Sequence, residues 1–222
     1  MSEIRVTSVV GENGGDRVGL TTGLTVGPLT GTTGIGATIS HHGNASFTGV
    51  CTATSFFAGG SQLLSGITMA DAWVQSTSYT KSGGMADITA NWVRHSNGAS
   101  YVGHIGTGMS ESSGIFTFPT TGIYMVISTL AGRTDGGYAS YAGMRQYYSG
   151  NSGSSYNVVA SGYDHGDRAS AHFVSNQTVL YDITDVSIAR VKFDIENSHS
   201  IKIFGNSVNR NTGVTFIRLG DT

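Results

Sequence analysis

The densest polar run in the sequence is Tyr163-Asp-His-Gly-Asp-Arg168, where Asp164, His165 and Asp167 bring two carboxylates and an imidazole close together. Calcium takes about six to eight oxygen ligands. Two carboxylates fall short of that, so a solvated loop is the simpler reading, unless three copies face the loop toward one axis. His41-His42 offers adjacent imidazoles, but successive residues on a strand point to opposite faces, and a turn flank explains the pair better. Cys51 is the single cysteine and closes no intrachain disulfide. No Gly-x-Ser-x-Gly, His-Glu-x-x-His, phosphate-loop or dinucleotide pattern occurs. Nor does a carboxylate pair stand out as glycoside hydrolysis would require. The expectation is a protein that is not an enzyme, with no catalytic residues, no cofactor and no metal.

Binding chemistry is better represented. Residues 136–156 are rich in Tyr, Gly, Ser and Asn. Tyr offers broad amphipathic contact at small rotamer cost, and Gly/Ser/Asn loops supply adaptable hydrogen bonds. With the 164–168 run, this nominates Tyr138, Tyr147, Tyr156, Asp164 and Arg168 as a binding surface for saccharide or protein. The competing reading puts Tyr141, Met144 and Tyr148 in strand core or a subunit interface, where aromatics are also enriched. Trp73 and Trp92 read as core or interface rather than sugar platforms. Charged residues make up 12% of the chain, the net charge is −2 and the pI is about 6.4. No basic stripe is present, which argues against nucleic acid and membrane surfaces as partners.

The elements that position these residues read as strands throughout. The chain holds 33 Gly but only 2 Pro, with 38% hydrophobic residues, which excludes collagen and makes disorder a poor reading. No run of 18 apolar residues occurs, and the start, Met1-Ser-Glu-Ile-Arg-Val6, lacks the apolar core of a signal peptide, so a soluble chain without a cleaved signal is expected. Residues 1–66 alternate small residues and Thr with single apolar ones, too thin a pattern to build a core alone. Three copies wound about one axis would bury it, with Gly49, Cys51 and Ala53 inward as a trimer axis. Residues 1–66 therefore read as an attachment region and extended, intertwined β shaft, 67–86 as a linker or neck, and 87–222 as a head. In the head, Ile123, Met125 and Ile127 alternate with Tyr124, Val126 and Ser128, apolar on both faces, which suits a central strand covered on both sides. Val191, Phe193 and Ile195 alternate with Arg190, Lys192, Asp194 and Glu196, a strand with one wet face. Asn197-Ser-His-Ser200 reads as a hairpin turn into Ile201–Phe204, and Thr215–Leu219 as the closing strand.

The stretch Gly114-Ile-Phe-Thr-Phe-Pro-Thr-Thr-Gly-Ile-Tyr124 resembles the Gly-x-Phe-x-x-Pro-x-x-Gly-x-Tyr signature of C1q-like jelly rolls, within the wider group that includes the tumour necrosis factor fold. The resemblance takes in about 150 residues and implies that Phe116 lies inward, that Pro119 and Gly122 form a corner, and that Tyr124 enters a central strand. Segments 35–56 and 60–67 are similar to fibre-like virion proteins of phages that infect marine cyanobacteria. Members of both groups are trimers. Together they imply an all-β, homotrimeric chain, a C1q-like jelly-roll sandwich carried on a shaft. The implied function is a phage virion fibre, of tail or head, that docks on another virion protein through its N-terminal region and binds a host-surface saccharide or protein. The alternative is a decoration or cement protein of capsid or tail without a receptor.

Overall fold

Along Gly122–Thr134 every even-numbered residue is buried and every odd-numbered one half-buried, the period of two that an extended strand imposes. The computed structural model describes residues 66–96 and 104–222, together with five short strands nearer the N-terminus. The chain divides into two units, Met1–Leu63 and Leu64–Thr222. In the first unit β1 (Leu24–Val26), β2 (Ala37–Ile39) and β3 (Ala45–Phe47) pair antiparallel in that order, and β4 (Phe57–Ala58) pairs with β5 (Ser61–Gln62). The expected axis residues Gly49, Cys51 and Ala53, and the His41-His42 pair, lie outside the described residues.

The second unit contains β6 (Met69–Gln75), β7 (Thr77–Lys81), β8 (Gly84–Asp87), β9 (Trp92–Arg94), β10 (Ser110–Ser112), β11 (Ile115–Thr117), β12 (Gly122–Thr134), β13 (Ala139–Ser149), β14 (Asn157–Gly166), β15 (His172–Ile183), β16 (Arg190–Asn197), β17 (Ile201–Asn206) and β18 (Gly213–Gly220). No helix occurs among the described residues. One sheet runs β10-β11-β16-β13-β14, with β8 also on β16; the other runs β7-β17-β12-β18-β6-β9, with β15 along the far edge of β12. At the rim where β14 and β15 meet, side chains link the two sheets: Ser175 Oγ donates to Gly162 O at 2.5 Å and Val174 N to the Asp164 carboxylate at 3.0 Å.

Between the sheets lies an aromatic cluster centred on Phe116, which is fully buried. Its ring stands 5.5 Å from Trp73, 5.4 Å from Trp92, 5.7 Å from Phe193 and 5.2 Å from Phe216. The glycine-aromatic signature has a physical basis at each position. Gly114 and Gly122 adopt φ of +81° and +142°, and a Cβ there would meet the Ile88 and Gly220 carbonyl oxygens at 2.1 and 2.5 Å. The buried Tyr124 donates its hydroxyl to Thr120 O at 2.9 Å, closing the corner around Pro119. Deeper in the core, Gln146 donates to Ser128 Oγ at 3.0 Å, Ser128 to Gln177 at 2.7 Å and Tyr181 to Gln146 at 3.1 Å, so these buried polar groups satisfy one another.

Three expectations need correcting. Residues 67–86, read as a linker or neck, hold β6, β7 and most of β8; the closing strand β18 lies between β6 and β12, so the jelly roll begins at Met69. The polar residues that disguise β6 face inward: buried Asp71 accepts from Trp73 Nε1 at 2.9 Å, from Arg94 Nε and Nη2 at 2.8 and 3.0 Å, and from Met109 N at 2.7 Å, and buried Gln75 donates from Nε2 to Ala90 O at 3.2 Å. The turn at 197–200 exists, but β16 and β17 belong to different sheets and form no hairpin. Buried Asn197 redirects the chain there, donating to His199 O at 2.5 Å and Ser82 O at 3.2 Å. Finally, among the described residues β12 is covered on one face only.

Phe116→Ala is expected to destabilise the head by about 3–5 kcal/mol, the usual cost of deleting a buried aromatic ring. Urea unfolding at one fixed chain concentration, followed by the fluorescence of the flanking Trp73 and Trp92, measures it.

Candidate binding surfaces

The strands give the head two distinct ends. Met69 pairs with Arg218, and Arg218 with Tyr124, so the chain enters where β12 begins. Thr134 pairs with Ile201, and Ile201 with Lys81, at the other end, the tip of the head. β12 has 13 residues, which places the two ends about 40 Å apart at about 3.4 Å per residue. Turns 82–83, 135–138, 167–171 and 198–200 gather at the tip. They are tied together. Thr134 Oγ1 donates to Arg168 O at 2.5 Å, Asp135 N to Ser200 O at 2.9 Å, and Lys81 Nζ to Asn197 Oδ1 at 2.6 Å. Burial lowers the Lys81 pKa, against the opposing pull of Asp194 and Glu196.

The five residues nominated for binding do not form one surface. Tyr138 and Arg168 stand exposed at the tip, Tyr138 at 68%. Asp164 is near them, but its carboxylate is engaged by His165 N at 2.8 Å and Val174 N at 3.0 Å, within strand β14 rather than a free loop. Tyr147 and Tyr156 lie elsewhere, on the outer face of the six-stranded sheet, with their rings 5.2 and 4.7 Å from Lys192 Nζ. Residues 139–149, weighed from composition as a binding surface against strand core or interface, form β13. Within it Met144 is fully buried, and Tyr148 packs 5.7 Å from Tyr181. Trp92 is core, and Trp73 is half-buried against it.

Around Lys192 lies a charged cluster that sequence reading missed. Arg145 donates from Nε and Nη2 to both oxygens of Asp194 at 2.9 and 2.5 Å and lies 3.2 Å from Glu196. Tyr147 donates to Asp194 at 2.8 Å, and Lys192 pairs with Asp87 at 2.7 Å. The Asp194 hydrogen bond pushes the Arg145 pKa up, and burial followed by that same carboxylate pushes Tyr147 up to about 12. The acid–base alternation of 190–196 signalled a wet face; instead β13 and β8 fold charges of opposite sign over it, leaving Asp194 3% exposed. With its charges paired internally, this cluster works as a structural clasp. Among the described residues no three His, Cys, Asp or Glu side chains come together as a metal would need.

A third surface is the uncovered face of β12. Register places Leu180, Met125, Ile217 and Ala70 in one row across β15, β12, β18 and β6, and Thr178, Ile127, Thr215 and Ala72 in the next. Val174 and Leu219 extend it. Leu180, Val174 and Leu219 are 64%, 53% and 51% exposed, while Met125, Ile127 and Ile217 are half-buried. Charge appears only at the margins, with Asp182 beside Ile123 at one end and His172, Arg133 and Lys202 in line at the other.

No protein-family model matches the chain, and no curated protein matches it. Solved structures do. The Eiger TNF of S. frugiperda matches with a TM-score of 0.50 at 10% identity, over 69% of this chain and 93% of that one. The head is a TNF-like jelly roll. Murine APRIL matches with a TM-score of 0.47 at 13% identity, over 68% of this chain and 98% of that one. The vertex protein P5 of PRD1 matches with 0.40 at 18% identity, over 70% and 99%. At these identities the likeness concerns the fold alone.

Burial also raises the Tyr79 pKa from its ordinary 10.0 to about 12. The unfolded chain ionises Tyr79 and Tyr147 near pH 10 and the folded head only near 12. Stability from these phenols is therefore fully present below pH 10 and falls as pH rises toward about 12. Thermal unfolding across that range is expected to show the decline, and Tyr79→Phe to make it shallower.

Proposed function

We propose that this chain is a non-enzymatic, homotrimeric fibre protein of a phage virion, of tail or head. Its N-terminal region docks on another virion protein, and its jelly-roll head meets a host cell surface. The uncharged face of β12, β15, β18 and β6 carries the reading. Contiguous exposed apolar area of this kind marks an interaction site. Aliphatic and small residues set flat across four strands suit a second copy of the same chain. The resemblance to C1q-like domains implies threefold assembly, in which each head lays this face against its neighbours. The resemblance of segments 35–56 and 60–67 to fibre-like virion proteins supports the virion setting. A tip about 40 Å from the point of chain entry, at about 3.4 Å per residue of β12, suits a host-binding end.

Native mass measurement of the full chain is expected to give three times 23.1 kDa. Leu180 is exposed in the single chain, so Leu180→Glu leaves the fold intact while placing a charge in every contact. Assembly is expected to weaken tenfold or more, about 1.4 kcal/mol per decade. A stable wild-type monomer, or an L180E assembly as tight as wild type, would contradict the reading. Purified trimer is also expected to compete with phage adsorption; a trimer that binds no host cells would instead have the decoration role.

A further inference from the structure

Beside the tip turns is an open cavity of about 330 Å³ lined by Gly136, Gly137, Tyr138, Ser140, Ser198 and His199. Its volume is at the small end of ligand pockets, which run from about 300 to 1,000 Å³, room for about one sugar ring. Its two walls come from the β12–β13 and β16–β17 turns, and both are fixed before any ligand arrives. Asp135 N bonds Ser200 O at 2.9 Å, Ser198 N bonds Tyr141 O at 3.0 Å, and Asn197 holds His199 O and Ser82 O from below. Walls held in this way need little ordering on binding. At the cavity wall Gly137 leaves room for the His199 ring: a Cβ there would lie 2.9 Å from His199 Nε2.

We propose that this cavity binds a neutral saccharide unit, an assignment that rests on the host-binding part of the function proposed above. Tyr138, 68% exposed, gives an aromatic face for the apolar side of a pyranose. The Ser140 hydroxyl and the His199 ring give donors and acceptors for its hydroxyl groups. Among the described residues neither a carboxylate nor a Lys or Arg lines the cavity, which favours a neutral ligand over a charged one. The nearby Asp135 carboxylate is engaged by the Thr80 hydroxyl at 3.3 Å. One such shallow site binds weakly. Three on one trimer raise avidity by about 10²–10⁴ without any further contact.

The test uses the full-length assembly, a printed array of neutral and acidic oligosaccharides, and intact host cells. Wild type is expected to bind neutral array members and host cells. Tyr138→Ala and His199→Ala both replace exposed side chains and are expected to lose at least tenfold in both assays at unchanged native mass and melting temperature. Gly137→Val, which fills the cavity from the other wall, is expected to behave alike. Wild-type binding to host cells that all three variants retain would overturn the pocket assignment and leave the receptor reading standing. Binding confined to acidic oligosaccharides would overturn the neutral class. Wild type that binds no host cells would remove the receptor reading itself, and the pocket assignment with it.

Discussion

A β-sheet has two faces, and among the described residues only one face of the seven-stranded sheet is covered. The inner face closes on the aromatic cluster around Phe116. The outer face carries Met125, Ile127, Ile217 and Leu180 in register, with no charged residue between Asp182 and the Arg133/His172/Lys202 line. Apolar surface arranged this way is unfavourable in water. The proposed assembly through this face answers that constraint, and the roles proposed for the rest of the head build on it. The chain enters the head at one end, and the opposite tip is the end that the proposed role turns toward a host surface.

The six-stranded sheet resolves the same problem differently. Its outer face is covered by its own side chains: Arg145 clamps Asp194 with two hydrogen bonds, Tyr147 adds a third, and Lys192 lies between two tyrosine rings while pairing with Asp87. A buried ion pair satisfied so completely leaves little for a ligand to gain. This separates Tyr147 and Tyr156, which serve the clasp, from Tyr138, whose ring remains open to solvent.

Much of the head was legible in the sequence because its strongest signals are local. The signature from Gly114 to Tyr124 spells out a positive-φ glycine, an inward ring, a corner and a tyrosine that ties the corner back, all within one short segment. The alternation at 123–128 correctly marked a central strand, although its second apolar face is not covered by the described residues and is left to other copies in the proposed trimer. What stayed hidden depends on long-range pairing. β6 carries Asp71 and Gln75 inward, which spoils its apolar period, and three of the four hydrogen bonds that make the buried carboxylate tolerable come from Arg94 and Met109, far along the chain. β13 likewise buries Gln146 against Ser128 and Tyr181, so composition alone left this Tyr/Gly/Ser-rich strand open between binding surface and core. The tip cavity joins two turns that are far apart in the chain, and composition gives no sign of that junction.

Hydroxyl-radical footprinting of the intact protein tests the central claim most directly, because methionines report each environment. Met144 is fully buried in the single chain, Met85 is 64% exposed, and Met125 sits half-buried on the uncovered face. In the assembled protein Met125 and Leu180 are expected to be protected nearly as well as Met144, while Met85 and Tyr138 react freely. Met125 and Leu180 reacting as they would in the isolated chain would show that nothing covers the sheet, and would contradict assembly through this face.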